Sequence, residues 1–333
     1  MTRTAPVFAI LALLLPASIG AGILSGAVPL APADVLAALL GGSDPVTGVI
    51  VRDIRAPRVL AAALVGGSLA VAGTLLQGLF RNPLADPYVT GTSAGASLGA
   101  VAVIAVGGEL SATVVPLAAF AGAMVSALAV WQLARLGGRT TVLTVLLAGI
   151  VLTAFTSALV TLLLVSSDRL ALRLRAIIDV LAGGVSVRAS GELVVAAIVV
   201  LLGAGLAFVL GRRIDAFVFG EETAATLGVD PERTTIAVIA AASLLTGAAV
   251  ALAGLVGFVG LVVPHALRPI VGATHRRLTV ASFLAGASVL VLADLGARTA
   301  LAPAEIPVGV ITGLLGAPFF LLLLVRARRR EIA

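Results

Sequence analysis

Apolar residues recur along this chain in ten runs that are separated by short polar segments containing Arg, Gly and Pro. Most of the runs approach the length of about 20 residues that a helix needs to cross a bilayer. The first run also resembles a secretory signal, but its apolar character continues to about Leu24 and the rest of the chain is membrane-like, so we expect a retained span. The ten predicted spans lie near 1–24, 58–80, 92–107, 112–134, 141–165, 192–210, 235–253, 254–268, 279–300 and 307–325.

Two of these runs, 92–107 and 254–268, are short for a bilayer crossing and are rich in Gly. Short, Gly-interrupted spans in corresponding halves of a transporter point to a substrate path. The first short run follows a polar segment with the sequence RNPLADPYVTGTSAGAS, at 81–97. A backbone break of that kind can lie in a bilayer only where it is buried in protein or lines a water-filled path. The pattern therefore predicts a transport protein.

Elsewhere in the spans, small residues four apart, Gly66 with Ala70 and Gly247 with Ala251, predict close packing between helices.

Composition agrees with a polytopic membrane protein, since 60% of the 333 residues are hydrophobic, 11% are charged and the mean hydropathy is +1.19. The chain has no Cys, which excludes disulfides, thiolate metal sites and Cys nucleophiles and leaves the redox compartment undetermined. All 22 basic residues are Arg. Because a phosphate-binding P-loop places a Lys on the nucleotide phosphates, this chain has no ATPase site of that kind and we expect no enzyme activity from it.

The Arg residues also predict the topology. With the N-terminus in the cytoplasm, ten spans place 14 Arg residues in cytoplasmic segments and eight on the other face, counted from the sequence. Cytoplasmic segments are enriched in basic residues, so we expect both termini in the cytoplasm. A net charge of +6 could indicate nucleic-acid binding, but the Arg residues lie at span ends and aromatic residues are 4% of the chain. We expect a multi-pass protein of the plasma membrane with no nucleic-acid partner.

Four separated segments carry a family resemblance. They are RAPRVLAAALVGGSLAVAGTLLQGLFRNPLADPYVTGTSAGAS at 55–97, GEETAATLGV at 220–229, GFVGLVVPHALRPIVG at 257–272 and ADLGARTALAPAEIPVGVITGLLGAPFF at 293–320. In this order they resemble the permease subunits of iron-chelate and cobalamin ABC importers.

The resemblance implies an all-α integral membrane fold with about ten transmembrane helices, the architecture of type II importer permeases, in one domain over 1–333. It also implies the partners: a second copy or a close paralogue of the permease, two ATP-binding subunits and an extracytoplasmic substrate-binding protein. ATP and Mg would be used by the ATPase, and no cofactor would be bound by this chain.

By resemblance, the first functional site lies on the outer surface. Residues corresponding to Arg55, Arg58 and Arg298 face acidic residues of the binding protein in the family, and a guanidinium can hold a carboxylate through two hydrogen bonds. Two alternatives stay open. Arg58 begins a helix, so its side chain could reach lipid headgroups instead. Arg298 could pair with Asp294 on the same helix, four residues earlier.

The second implied site is a cytoplasmic gate. The resemblance places Asn82 and Leu84 there, where an amide and a bulky apolar side chain can close a pore without forming a tight ligand site. In the alternative, Pro83 and Pro87 only end one helix and set the next, with Asn82 as a cap. The family also places small polar residues of the next inner loop at this gate, and the candidates here are Thr141 and Thr144.

The third implied site is the polar loop 212–234, which resembles the coupling helices that dock on the ATPase. Its acidic residues stand in the first turn of a predicted helix and Gly228 ends it, so the segment can form locally. A solvated surface helix with no partner is the alternative. The residues that we assign to coupling are Glu221, Glu222, Ala224, Ala225, Leu227 and Gly228.

Two other classes of protein remain as alternatives. An ion-coupled secondary transporter would explain the apolar runs and the short spans, but it leaves the 212–234 loop and the outer Arg set without partners. A membrane enzyme has less support, since the sequence contains no catalytic constellation. His265 and His275 stand apart from any carboxylate cluster and do not indicate a metal site. Among substrates, an iron(III)-siderophore is the first expectation, and haem, cobalamin and oxyanions stay open.

Overall fold

The computed structural model describes residues 4–106, 114–136, 142–166, 174–185, 187 and 190–332. Helices make up nearly all of the regular structure in these residues. A π-helical turn covers Val49–Arg55 and a 3₁₀ turn covers Pro87–Thr90. The α-helices are α1 (Thr4–Leu24), α2 (Pro32–Leu40), α3 (Pro45–Gly48), α4 (Ala56–Leu79), α5 (Thr92–Val106), α6 (Val114–Arg135), α7 (Val142–Ser166), α8 (Leu174–Ala182), α9 (Ser190–Phe217), α10 (Glu221–Thr226), α11 (Pro231–Ala253), α12 (Val259–Val271), α13 (His275–Thr299) and α14 (Val308–Ile332).

Ten of these helices coincide with the ten predicted apolar runs, which confirms the expected all-α membrane fold. Within the described residues, seven segments are long and apolar enough to cross a membrane by length and composition, and three shorter apolar helices accompany them. The shorter ones include Thr92–Val106 and Val259–Val271, which contain most of the two runs that the sequence marks as short. The boundaries differ most at the C-terminal ends of α9 and α14, which continue to Phe217 and Ile332 where the apolar runs end near 210 and 325.

Helix α4 is the centre of the fold, and every residue from Val65 to Phe80 is buried. It packs against α9, α11, α12 and α13. The contacts with α12 and α13 are close because glycines stand on both sides: Gly66 lies against the backbone of Gly286, and Gly73 lies against that of Gly260. A side chain at either position of α4 would overlap the opposing carbonyl group. Helix association in a bilayer relies on such close packing, since lipid supplies no hydrophobic driving force between helices.

The small residues that the sequence predicts as packing positions have that role. Gly66 and Ala70 both face Gly286 of α13, while Gly247 of α11 lies against Ala123 of α6. Helices α1, α6, α7 and α9 surround this core and keep large apolar side chains exposed along one side, among them Leu13, Leu128, Phe155 and Leu202. Exposed apolar faces of that extent fit contact with lipid.

Candidate functional site

Two breaks in the helical backbone meet inside the protein. One is the segment 80–91 between α4 and α5, and the other is the segment 254–258 between α11 and α12. The Tyr88 hydroxyl donates to the carbonyl of Val256, at 2.6 Å, and accepts from the amide of Val256, at 2.7 Å. One side chain thus satisfies two backbone groups of the second break. Such groups are costly to leave unpaired where water is absent.

The first break is held by its own side chains. The Asp86 carboxylate accepts from the Tyr88 amide at 2.8 Å and so caps the 3₁₀ turn. The Thr90 hydroxyl donates to the Pro87 carbonyl at 2.8 Å, and Ser126 of α6 donates to the Gly91 carbonyl at 2.7 Å. This segment is therefore an ordered part of the helical bundle.

Proline chemistry explains how α12 joins α4. Pro264 has no amide hydrogen, so the carbonyl of Gly260, four residues earlier, lacks its donor within the helix. The buried Gln77 side chain of α4 donates from Nε2 to that carbonyl, at 3.3 Å, and to the carbonyl of Leu261, at 3.1 Å. Sequence reasoning missed Gln77. The available signal was an amide in an otherwise apolar helix together with a proline inside a predicted span.

A cavity of about 630 Å³ lies where the two breaks meet. Its lining surface is almost entirely apolar, although Asp86, Tyr88 and Thr153 are among the residues that line it. The lining residues are Asp86, Tyr88, Ile150, Thr153, Ala154, Gly257, Phe258 and Leu261. Both short spans contribute to it through the segments that precede them, so the structure brings together the two regions that the sequence singles out.

The predicted gate residues lie in the turn that follows the C-terminal end of α4. Asn82 is exposed, and its side chain accepts from the amide of Leu84 at 2.9 Å. Asn82 therefore orders the turn locally, but it caps no helix, since the next helical turn begins at Pro87 and is capped by Asp86. Leu84 is half-buried, Thr144 is half-buried within α7, and Thr141 lies outside the described residues. The gate role of these residues stays a prediction.

Arg55 of the predicted docking set is 4% exposed and points into the protein. Its guanidinium donates to the carbonyls of Ile23, at 3.1 Å, and Leu24, at 3.0 Å, and also to that of Val28. These carbonyls lie at and just beyond the C-terminal end of α1, where the last helical carbonyls lack partners within the helix. A cation at this end also interacts favourably with the helix dipole.

Arg58 and Arg298 share one buried carboxylate. Asp294 is 1% exposed, and its two oxygens lie 3.0 Å from Nη2 of Arg58 and 2.9 Å from Nε of Arg298. Arg58 is 19% exposed and also pairs with Glu305 at 2.8 Å, while Arg298 donates to the carbonyl of Gly22 at 3.2 Å. The pair between Asp294 and Arg298 is the one that the sequence offers as the alternative for Arg298. In this single chain Arg58 is the most accessible of the three, and the docking role of the set stays a prediction.

The loop assigned to coupling contains the short helix α10. Gly220 and Gly228 flank it with φ angles of 103° and 80°, conformations that favour glycine. On the inner face of α10, Ala224 is fully buried, whereas Glu222, Ala225 and Leu227 are exposed. Glu221 is the first residue of α10. The predicted helix and its glycine stop are thus present, on a segment that presents a mixed acidic and apolar surface.

The base of this loop is tied to α13. Asp215, near the end of α9, accepts from the His275 amide at 2.9 Å and lies 2.6 Å from its ring Nδ1. His275 is buried, so the pair fixes the start of α13 against the segment that leads into α10. Among the described residues no group of three or more His, Cys, Asp or Glu side chains has the arrangement of a metal site.

Comparison with known proteins agrees with this architecture. The model of the FecCD transport family matches residues 11–326. A cobalamin import system permease protein, BtuC, of Halobacterium salinarum is 42% identical over 284 residues, which are 85% of this chain and 74% of that protein. A hemin transport system permease protein, HmuU, of Yersinia pestis is 40% identical over 84% of each chain. A probable iron chelatin transport system permease protein of Helicobacter pylori is 38% identical over 84% of this chain and 83% of its own length.

A solved structure extends the likeness to three dimensions. An ABC transporter assigned to the metal-chelate type, in an inward-facing conformation, superposes with a TM-score of 0.83 and 30% identity, over 96% of this chain and 98% of that one. The fold and the apolar helices define a multi-pass helical membrane protein of the transport permease class. Within that class, the chain belongs to the FecCD transport family.

Proposed function

We propose that this chain is the membrane-spanning permease subunit of an ATP-binding-cassette importer, and that it moves an iron(III)-siderophore or a related metal chelate into the cytoplasm. The similarity to permeases named for cobalamin, hemin and iron chelatin carries this proposal, because it covers 84–85% of this chain and the family model extends from 11 to 326. It therefore includes the polar loop as well as the apolar helices.

In this proposal α10 receives the force of the ATPase. The helix is exposed on one side and anchored by Ala224 on the other, so a push on Glu222 or Leu227 is transmitted to α9, against which α10 packs. The Asp215–His275 pair then carries the displacement to α13. Movements of packed helices as rigid bodies are a common form of such gating. ATP and Mg act in the partner subunits.

The substrate follows the cavity between the two breaks. Its mainly apolar lining offers few strong ligands, which suits a passage that must release a bulky chelate. We place the outer entrance at the face that bears Arg58 and Glu305, where the binding protein docks, and the gate at Asn82 and Leu84. The second permease copy or paralogue completes the path.

Reconstitution tests the proposal. The chain is purified from its native membrane, any P-loop ATPase that accompanies it is identified by mass spectrometry, and the complex is placed in liposomes with its binding protein. Uptake of a ferric siderophore that requires internal ATP is the expected result. Uptake that does not require ATP and depends on an ion gradient would show instead that the chain is an ion-coupled carrier. Parallel assays with haem and cobalamin identify the chelate.

Because the sequence contains no Cys, the membrane topology can also be measured by labelling introduced cysteines. Single cysteines at Glu222 and at Asp34, both exposed, can be labelled from one side of the membrane with a charged maleimide. With both termini in the cytoplasm, we expect label from outside to reach position 34 and not position 222.

A further inference from the structure

A groove outside the candidate path runs along the lipid-facing side of the bundle. Helices α6 and α9 both pack on α11, which forms the floor between them. The groove has a volume of about 410 Å³ and an almost entirely apolar lining. Its walls include Leu128 of α6 and Leu206 of α9, whose side chains are exposed on the outer side of the bundle. Its opening therefore faces the region that lipid occupies.

Two polar groups within this apolar groove have no partner among the described residues. The Ser243 hydroxyl belongs to the floor, and the residue is only 2% exposed. The indole Nε1 of Trp131 is also buried and unpaired. Buried donors without an acceptor are uncommon in folded proteins. Nε1 has almost no accessible surface in the free chain, so the Trp131 ring has to turn toward the groove before it can donate to an ester or phosphate oxygen of a lipid.

A pair of opposite charges stands at one end of the groove. The Arg135 guanidinium lies over the Trp131 ring, 4.9 Å from its centre, and its Nη2 lies 3.6 Å from the Glu232 carboxylate. Both charged side chains are about half exposed. Arg135 is the last residue of α6, and Trp131 lies one turn deeper. Trp and Arg are characteristic of the level at which lipid headgroups meet the hydrocarbon.

We propose that this groove is a binding site for one glycerophospholipid that carries a phosphate beside a primary ammonium group, as in phosphatidylethanolamine. One acyl chain fills the groove, and the indole of Trp131 donates to an oxygen at the glycerol level. Arg135 then holds the phosphate, and Glu232 holds the ammonium. The side-by-side cation and anion match a headgroup with the same two charges. An anionic headgroup would meet repulsion from Glu232, and a choline group has no N–H to donate.

Lipid binding to the full-length chain in detergent tests the proposal. Phosphatidylethanolamine, phosphatidylglycerol and phosphatidylcholine with identical acyl chains are titrated separately into delipidated protein, and bound lipid is counted by native mass spectrometry. We expect the ethanolamine lipid to bind at least about fivefold more tightly than the other two, since one additional charge-assisted hydrogen bond is sufficient for that ratio. Equal binding of the three lipids would overturn the proposed headgroup site.

Variants with matched controls locate the site. Arg135→Ala should weaken binding by about tenfold, whereas Arg233→Ala, an exposed Arg of α11 paired with Asp230, should not. Ala240→Leu fills the groove and should displace the acyl chain, whereas Val209→Leu, exposed elsewhere on α9, should not. Lipid binding that withstands both Arg135→Ala and Ala240→Leu would show that the lipid lies elsewhere.

Two milder variants keep the test decisive if the others do not fold. Glu232→Gln should remove the preference for ethanolamine over choline while leaving overall binding nearly intact. Trp131→Phe keeps one aromatic ring near Arg135 but removes the N–H donor together with the five-membered ring, so it should lower the affinity at least about fivefold. Unchanged preference in the first variant and unchanged affinity in the second would together contradict the site. A crosslink from position 240 to a second copy of the chain, in place of lipid, would do the same.

Discussion

The hydroxyl of Tyr88 is bonded to both the amide and the carbonyl of Val256, although 168 positions separate the two residues. It connects the break before α5 to the break before α12. Both short helices therefore start from segments that are held together, and a displacement of one break is passed to the other. Since the cavity of the candidate path is lined by the same segments, this contact links the path to the packing of the core.

Loss of this hydroxyl should have a measurable cost. Tyr88→Phe leaves the amide and carbonyl of Val256 without partners, and each buried unsatisfied group costs about 1–3 kcal/mol. We expect a lower melting temperature of the purified chain and slower uptake in proteoliposomes. Ile150→Val, on the wall of the same cavity, makes no such hydrogen bond and serves as the control. A Tyr88→Phe protein as stable as the wild type would show that the amide and carbonyl of Val256 form hydrogen bonds with other groups in the variant.

The amide of Gln77 should be required because of Pro264. Gln77→Leu removes the donor to the Gly260 carbonyl, which Pro264 leaves free, and should lower stability by about 1–3 kcal/mol. Pro264→Ala restores an N–H within α12, so the double variant should recover part of the loss. A double-mutant cycle of unfolding free energies measures this coupling. Strictly additive effects of the two substitutions would show that Gln77 does not act through the carbonyl that Pro264 leaves without a donor.

Glycines in the helices should differ sharply in their tolerance of a methyl group. Gly66→Ala places Cβ against the Gly286 carbonyl and forces α4 and α13 apart, so we expect strong loss of folded protein. Gly205→Ala, in α9, meets no atom within 4 Å and should be neutral or stabilising by about 0.5–1 kcal/mol, because alanine favours helix. Yield and melting temperature of the two variants provide the comparison. Similar behaviour of both would contradict the close packing.

The two ion pairs of Arg58 should differ according to burial. Asp294→Asn removes the charge shared by Arg58 and Arg298, and breaking a buried pair typically costs about 3–5 kcal/mol. Glu305→Gln removes a half-exposed partner of Arg58 and should cost about 1 kcal/mol or less. Thermal unfolding at low and high salt distinguishes them, since only the exposed pair should be screened. Comparable losses in the two variants would place Asp294 in contact with solvent.

Charge reversal on α10 should uncouple transport from ATP. Glu221→Arg together with Glu222→Arg should abolish uptake while leaving the chain folded and inserted, because α10 is short and exposed. Co-purification of the ATPase and uptake are measured side by side. Asp34→Arg, an exposed reversal on α2, is the control and should leave the ATPase bound. Normal uptake by the double variant would remove the coupling role from these acids.

Local chemistry explains why much of the fold was predictable. A bilayer requires apolar runs of helical length, so ten runs predict ten helices without knowledge of their contacts. Helix α10 was equally predictable from the sequence, because its acidic first turn and Gly228 act within a few residues of each other. The two short spans were visible for the same reason, as interruptions in a pattern that the membrane imposes along the sequence.

Only the tertiary structure decided which distant groups satisfy one another. Nothing near Gln77 in the sequence indicates the carbonyl of Gly260, 183 positions away. The resemblance assigns Arg55 to the docking surface, and only the folded chain shows that its guanidinium donates to carbonyls at the end of α1. Asp294 could be paired with Arg298 from their spacing, but its contact with Arg58 needed two helices side by side. Backbone breaks and buried charges take their partners from whatever the packing brings near, and packing is a property of the whole bundle.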